Sequence, residues 1–258
     1  MKNLNQLNQL FVFVLLVLLT PCLALAQAEK NQAYYVHEDQ VKPSMMQKYN
    51  EVSKDFKEAC KKHNLQDISW QVASTDTGRY FNISPIENMA ELDKNVMAPL
   101  SEKMGEEAFR NLFKRYNECY DKHGDYMIYL NKELTYMPEG ISTTTEGQNY
   151  RKWHFLHVTP SNIQNLKGKL KELKALYTSK GSKEYYRIYH NGFGSMGDYY
   201  LAVISAVDAE DYAKKSKENE ALLGEEGKKL FDEVFSYVLK YETETGQMHP
   251  DLAYTPSK

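Results

Sequence analysis

His37 and His157 lie 120 residues apart, each in a short aromatic and apolar run, "YYVH" and "HFLHV". An imidazole in a partly dry setting can serve as acid, base or metal ligand near neutral pH. A buried histidine bonded to a tyrosine or to the backbone is the plainer reading of each. Arg187 sits in "YYRIYH" between Tyr185 and Tyr189. A guanidinium there can hold a carboxylate or another anion, or simply point to water. Cys60-x-x-His63 and Cys119-x-x-x-His123 recur near the ends of two helical stretches, and four such ligands suit zinc. No Ser/His/Asp arrangement, H-E-x-x-H or Walker motif occurs. The three glycines of "NGFGSMG" (191–197) follow a strand but open no helix, so they are not a phosphate loop; they read as a hairpin connection able to act as a flap.

The chain has 258 residues, a net charge of −3 and 20 tyrosines. No basic stripe stands out, so nucleic acid is not an expected partner. Tyrosine suits half-buried strands and cavity walls, where the ring is dry and the hydroxyl wet. Residues 1–26 read as a signal peptide: Lys2, the apolar run Phe11–Leu19, and Ala24-Leu25-Ala26 before the cut. Pro21 ahead of Cys22 argues against a lipid-anchored form. The run is too short for a typical membrane span, and no second one follows. The expected product is an exported bacterial protein, periplasmic or secreted, with no membrane association after cleavage.

The elements that must position these residues come in two similar sets. Tyr34–His37 reads as a strand. Met45, Tyr49, Val52, Phe56 and Cys60 form one helical stripe, ended at Asn64. Strands follow at 69–73 and 79–86, a helical stretch over 87–123 with a break placed near Pro99 and a stop at Gly124, and a strand region from Tyr126. In the second set, His154–Val158 is a strand. Ile163, Leu166, Leu170, Leu173 and Leu176 share a helix face, ended by Gly181. Strands cover 185–190 and 198–207, and 209–241 is mostly helical, with a last short strand after it. Each set reads β-α-β-β-α-β. Gly78 and Gly197, and "GEEAFRNLF" and "GEEGKKLF", are offset by 119; "LTYMP" and "LAYTP" are offset by 118.

This order is the ferredoxin-like arrangement. Its sheet is bare on one face, and a second copy can cover it. The expected fold is α+β: two tandem ferredoxin-like repeats, 33–138 and 153–256, joined by a polar linker at 139–152, whose antiparallel sheets pack face to face as an α/β barrel. In such a unit the two helices run antiparallel, which separates the Cys60 and Cys119 pairs. That argues against both a zinc site and a disulfide, so no metal is expected. The doubled element order resembles the dimeric α/β-barrel superfamily, here with both halves in one chain. The superfamily includes antibiotic-biosynthesis-type monooxygenases, haem-using chlorite dismutases, stress-response proteins and NIPSNAP-like proteins.

Strand alternation assigns faces. If the aliphatic residues Val36, Leu156 and Val158 lie under the helices, Tyr35, His37, Phe155 and His157 face the space between the sheets, joined by Arg187 and Tyr189. From the third strand either Tyr80 and Asn82 or Phe81 and Ile83 enter; the second offers Trp70 or Gln71. The expected function is binding of a small apolar or aromatic ligand in that space, without catalysis and without a cofactor, by a monomer. The resemblance implies an alternative, a monooxygenase-like enzyme that is cofactor-free or haem-dependent. A second alternative is a structural or interaction protein with a solid barrel.

Overall fold

The computed structural model describes residues 31–256; the expected signal peptide lies outside them. Eight strands and five α-helices follow one another: β1 (Gln32–Val41), α1 (Met46–Lys62), β2 (Gln71–Thr75), β3 (Arg79–Ile86), α2 (Ala98–Met104), α3 (Glu106–Asn117), β4 (Tyr120–Leu130), β5 (Tyr150–Val158), α4 (Ile163–Lys180), β6 (Tyr186–Asn191), β7 (Asp198–Ala206), α5 (Ala209–Phe235) and β8 (Lys240–Met248). Among the described residues no helix is long and apolar enough to cross a membrane.

The strands form one closed barrel in the order β1-β3-β2-β8-β5-β7-β6-β4, antiparallel throughout. The expected α/β barrel is present, and its two four-stranded sheets are also hydrogen-bonded to one another at both edges. The seams are short. β2 meets β8 at Ala73–Met248, Ser74–Gln247 and Thr75–Gly246. β4 meets β6 at Ile128–Asn191, Tyr129–His190 and Leu130–Tyr189. Closure removes the unpaired edges that an open sheet would present to other chains.

Three cores result. One fills the barrel, with Val36, Phe81, Trp153, Leu201 and Val203 among its members. A second lies under α4 and α5, where Leu166, Leu170, Leu173 and Leu176 are buried as the stripe predicts. A third lies under α1 and α3, where Tyr49, Cys60 and Cys119 are buried. Fully burying one such leucine is worth about 1.5–3 kcal/mol. Both cysteines are free, and burial pushes the Cys60 thiol up to about 12, so it is inert as a nucleophile at neutral pH.

Two arms tie the chain together. Tyr136 after β4 bridges to Tyr186 of β6, and Tyr254 after β8 bridges to Trp70 ahead of β2. Trp70 stacks between Phe56 and Tyr254, and its indole N–H donates to the Leu252 carbonyl at 3.1 Å. "LTYMP" and "LAYTP" are these arms, each bridged to a residue of the other half of the chain.

The helix ends follow local chemistry. Asn64 (φ 48°) and Gly181 (φ 65°) take left-handed conformations just beyond α1 and α4, as expected. The stretch 87–123 is not one helix. Gly105, at φ 85°, separates α2 from α3, and β4 begins at Tyr120, so Gly124 is a mid-strand residue paired with Glu38. Likewise α5 stops at Phe235 rather than Tyr241, and the expected last short strand is β8, which begins at Lys240.

Candidate functional site

The lumen alternates with the pleat. β1 turns Tyr34 and Val36 inward, β3 Phe81 and Ile83, β5 Arg151, Trp153 and Phe155, and β6 Arg187 and Tyr189. They enclose a cavity of about 70 Å³. Its walls are aromatic and aliphatic, and its two ends carry unlike charge.

At one end Arg151 and Arg187 are each only 2% exposed. Their partners are neutral. Arg151 donates to the carbonyls of Gln148, Tyr150 and Thr143 at 2.5, 2.9 and 3.2 Å. Arg187 donates to the Ser142 carbonyl and, at 2.8 Å, to the Ser205 hydroxyl. Neither has a carboxylate partner among the described residues. Burial, and then the charge of Arg187, push Arg151 down to about 10; burial also lowers Arg187. Tyr34 and Tyr189 close this end edge to face, 6.2 Å apart, and burial raises both phenols, keeping them neutral.

At the other end the charges are matched. Glu38 takes a two-pronged bond from Arg79, at 2.7 and 2.9 Å, and a third from the Tyr126 hydroxyl at 3.0 Å. Arg79 also pairs with Glu244 and lies over the Phe81 ring, 5.0 Å from its centre.

Of the six residues expected to face this space, Phe155, Arg187 and Tyr189 line it. His157 shares their inward parity but sits at the end of β5, held at 2.7 Å by Glu242. Tyr35 and His37 do not enter. They lie on the outer face of β1 and both bond Asp125. The expectation failed because Val36, placed under the helices by its aliphatic character, fills the lumen, while the outer face of β1 is polar. A one-residue shift in register exchanges the two faces of a strand. At the offset of 119 shared by the two glycine landmarks, Val36 matches Phe155, and the His37–His157 match at 120 is out of step. Arg151, Trp153, Tyr34 and Glu38 were missed. Arg151 fell in the expected linker, although "RKWHF" already alternates in phase with Trp153 and Phe155.

A second cavity, about 250 Å³, lies outside the barrel wall beneath α4 and α5 and is faced by His154. The His154 ring is held between hydroxyls, with Nδ1 2.6 Å from that of Tyr241 and Nε2 3.4 Å from that of Tyr212. Burial, then Lys152, push His154 down to about 4. The unfolded chain, near 6.5, therefore binds more protons than the folded one between those values, and stability falls as pH drops through that window. The expected loss is about 2–3 kcal/mol, read as a falling melting temperature between pH 7 and 4. Burial lowers His190 and His249 in the same sense, so the comparison is with His154→Gln, whose acid loss should be visibly smaller.

No family model matches the chain, and no curated protein matches it. Among solved structures it is similar to an anthrone oxidase-like protein, at 12% identity and a TM-score of 0.59, over 86% of this chain and 92% of that one. It is similar to a candidate monooxygenase from Lactobacillus acidophilus, at 10% identity and a TM-score of 0.55, over 88% and 97% of the two chains. A third, from Fusobacterium nucleatum, gives 10% identity and a TM-score of 0.54 over 89% and 100%. The chain thus shares with these proteins the fold of a ferredoxin-like α/β barrel. At these identities the likeness is one of fold and leaves chemistry to the site. Haem, the cofactor the resemblance allows, finds no free imidazole in either cavity: the lumen is lined by no histidine, and both His154 nitrogens are engaged.

Proposed function

We propose that this chain is an exported, internally duplicated barrel that binds a small organic anion with an aromatic or apolar body in its lumen, acting as a binding protein rather than a catalyst. The observation behind it is the pair Arg151 and Arg187, buried at one end of an apolar cavity with no carboxylate partner. A buried charge without a counter-charge costs several kcal/mol, and an arginine fork matches a carboxylate in shape. A ligand carboxylate supplies the missing charge; Trp153, Phe155 and Leu201 receive its body. About 70 Å³ is room for about five waters, which suits one ring and not three.

Support for the duplication is the strand order, β4-β1-β3-β2 and β8-β5-β7-β6, together with the exchanged arms and the positive-φ glycines, Gly105 and Gly224, each opening a "GEE" helical segment. Export rests on the pattern of residues 1–26. Closure of the barrel within one chain favours a monomer. A cofactor-free oxygenase needs a base to form a carbanion, and the lumen carboxylate Glu38 is already bound by Arg79 and Tyr126. A solid interaction barrel gives no reason to bury two unpaired arginines.

The test is calorimetric titration of the purified protein with benzoate and, separately, benzamide. Benzoate should bind and raise the melting temperature by mass action, with benzamide at least tenfold weaker. Equal binding of the two, or binding of neither, overturns the reading.

A further inference from the structure

His37 and Asp125 face each other across the β1·β4 ladder, and so do Asp39 and His123. His37 and Asp39 are two apart on one strand, His123 and Asp125 two apart on the other, so all four belong to the outer face of the barrel wall. The result is a square of two imidazoles and two carboxylates, unrelated to the lumen. The ligand atoms of His37, Asp39 and His123 all lie within 4.8 Å of one another.

Each of the two inner members is fixed with one atom left over. His37 Nδ1 is 2.8 Å from Asp125 Oδ1, so the carboxylate takes the Nδ1 proton and directs Nε2 away from it. Asp39 accepts from the Tyr49 hydroxyl through Oδ2 at 2.7 Å. Its other oxygen, Oδ1, is buried with no hydrogen-bond partner, in a residue only 3% exposed. His37 Nε2 lies 3.2 Å from that oxygen, at an angle that makes no hydrogen bond. An orphaned buried carboxylate oxygen is costly and calls for an explanation.

We propose that His37 Nε2, Asp39 Oδ1 and a ring nitrogen of His123 bind one divalent first-row transition metal ion. The separation of 3.2 Å is already that of two ligands on a tetrahedral ion with bonds of about 2.0–2.1 Å, which is about 3.3 Å. His123, exposed beside His37 with ring centres 5.5 Å apart, completes the set by a rotation in solvent. Imidazole and carboxylate donors suit zinc and its neighbours rather than calcium or magnesium. Asp125 and Tyr49 are positioning residues: one orients the His37 ring, the other the Asp39 carboxylate, as carboxylate–histidine–metal sites require. Three protein ligands leave a coordination position open to solvent.

The test is calorimetry of the full protein, stripped with a chelator and dialysed, against zinc chloride at pH 8, with cobalt(II) absorption as a second readout. One equivalent should bind with a dissociation constant of 10 μM or tighter, and cobalt should give a tetrahedral visible band. His123→Ala, at an exposed position, should weaken zinc at least 100-fold and abolish the band. Asp125→Asn should weaken it 10- to 100-fold while the band persists at saturating cobalt. His63→Ala, outside the square, should bind as the parent does. Absence of stoichiometric binding below 100 μM, or zinc affinity unchanged in His123→Ala, overturns the site.

Discussion

Gly246→Ala is expected to cost the protein at least about 3 kcal/mol, or to prevent folding, because an added Cβ would sit 1.9 Å from the Ser74 carbonyl oxygen and 2.7 Å from Thr75 Cα. Both neighbours are backbone, so no side chain can turn away to relieve the overlap. The strands themselves would have to part, at one of the two short seams that close the barrel. Gly124→Ala is the control: it is also mid-strand, but its added Cβ meets nothing within 4 Å, and its stability should change by no more than about 0.5 kcal/mol. Urea denaturation of both variants checks this. A Gly246→Ala protein within 1 kcal/mol of the parent would mean that β2 and β8 are not joined as described.

The second large effect runs the other way. Arg187→Met should raise the stability of the ligand-free protein by about 1–2 kcal/mol, or roughly 2–8 °C in melting temperature, and should abolish the benzoate-induced shift. Methionine fills similar space and removes a buried cation that has no counter-charge; the lost bonds to Ser142 and Ser205 offset part of the gain. A functional site held at the expense of stability behaves this way. A structural arginine would not: its removal would destabilise the protein and leave ligand response where it was. Thermal melts with and without benzoate separate the two.

Much of the fold was legible because it rests on period and punctuation. The leucine stripe of α4 and its Gly181 stop predicted an element that is present to within a few residues, and so did the Tyr49–Cys60 face of α1. β8 was legible only as a short strand somewhere after 241: "KYETETGQM" has almost no apolar residue to mark its bounds, and it is held by pairing with β2 and β5 rather than by its own pattern. The site was half legible. Phe155, Arg187 and Tyr189 follow from alternation once the phase of the strand is known, but phase was inferred for β1 from one valine. Tertiary packing decided otherwise, since Val36 faces a dry lumen and His37 faces a polar outer layer closed by Tyr49 and Asp39. The offset of 119 carried the correct phase all along. No local pattern could reveal that Arg151 and Arg187, 36 residues apart in sequence, meet without a carboxylate between them, or that His123 lands beside His37.

The lumen as an anion site is tested most directly by a crystal structure of the protein grown with benzoate. The account predicts the carboxylate within hydrogen-bond distance of both Arg151 and Arg187, with the ring against Trp153 and Phe155. A lumen holding only water, with benzoate absent or bound on the outer surface, would contradict it.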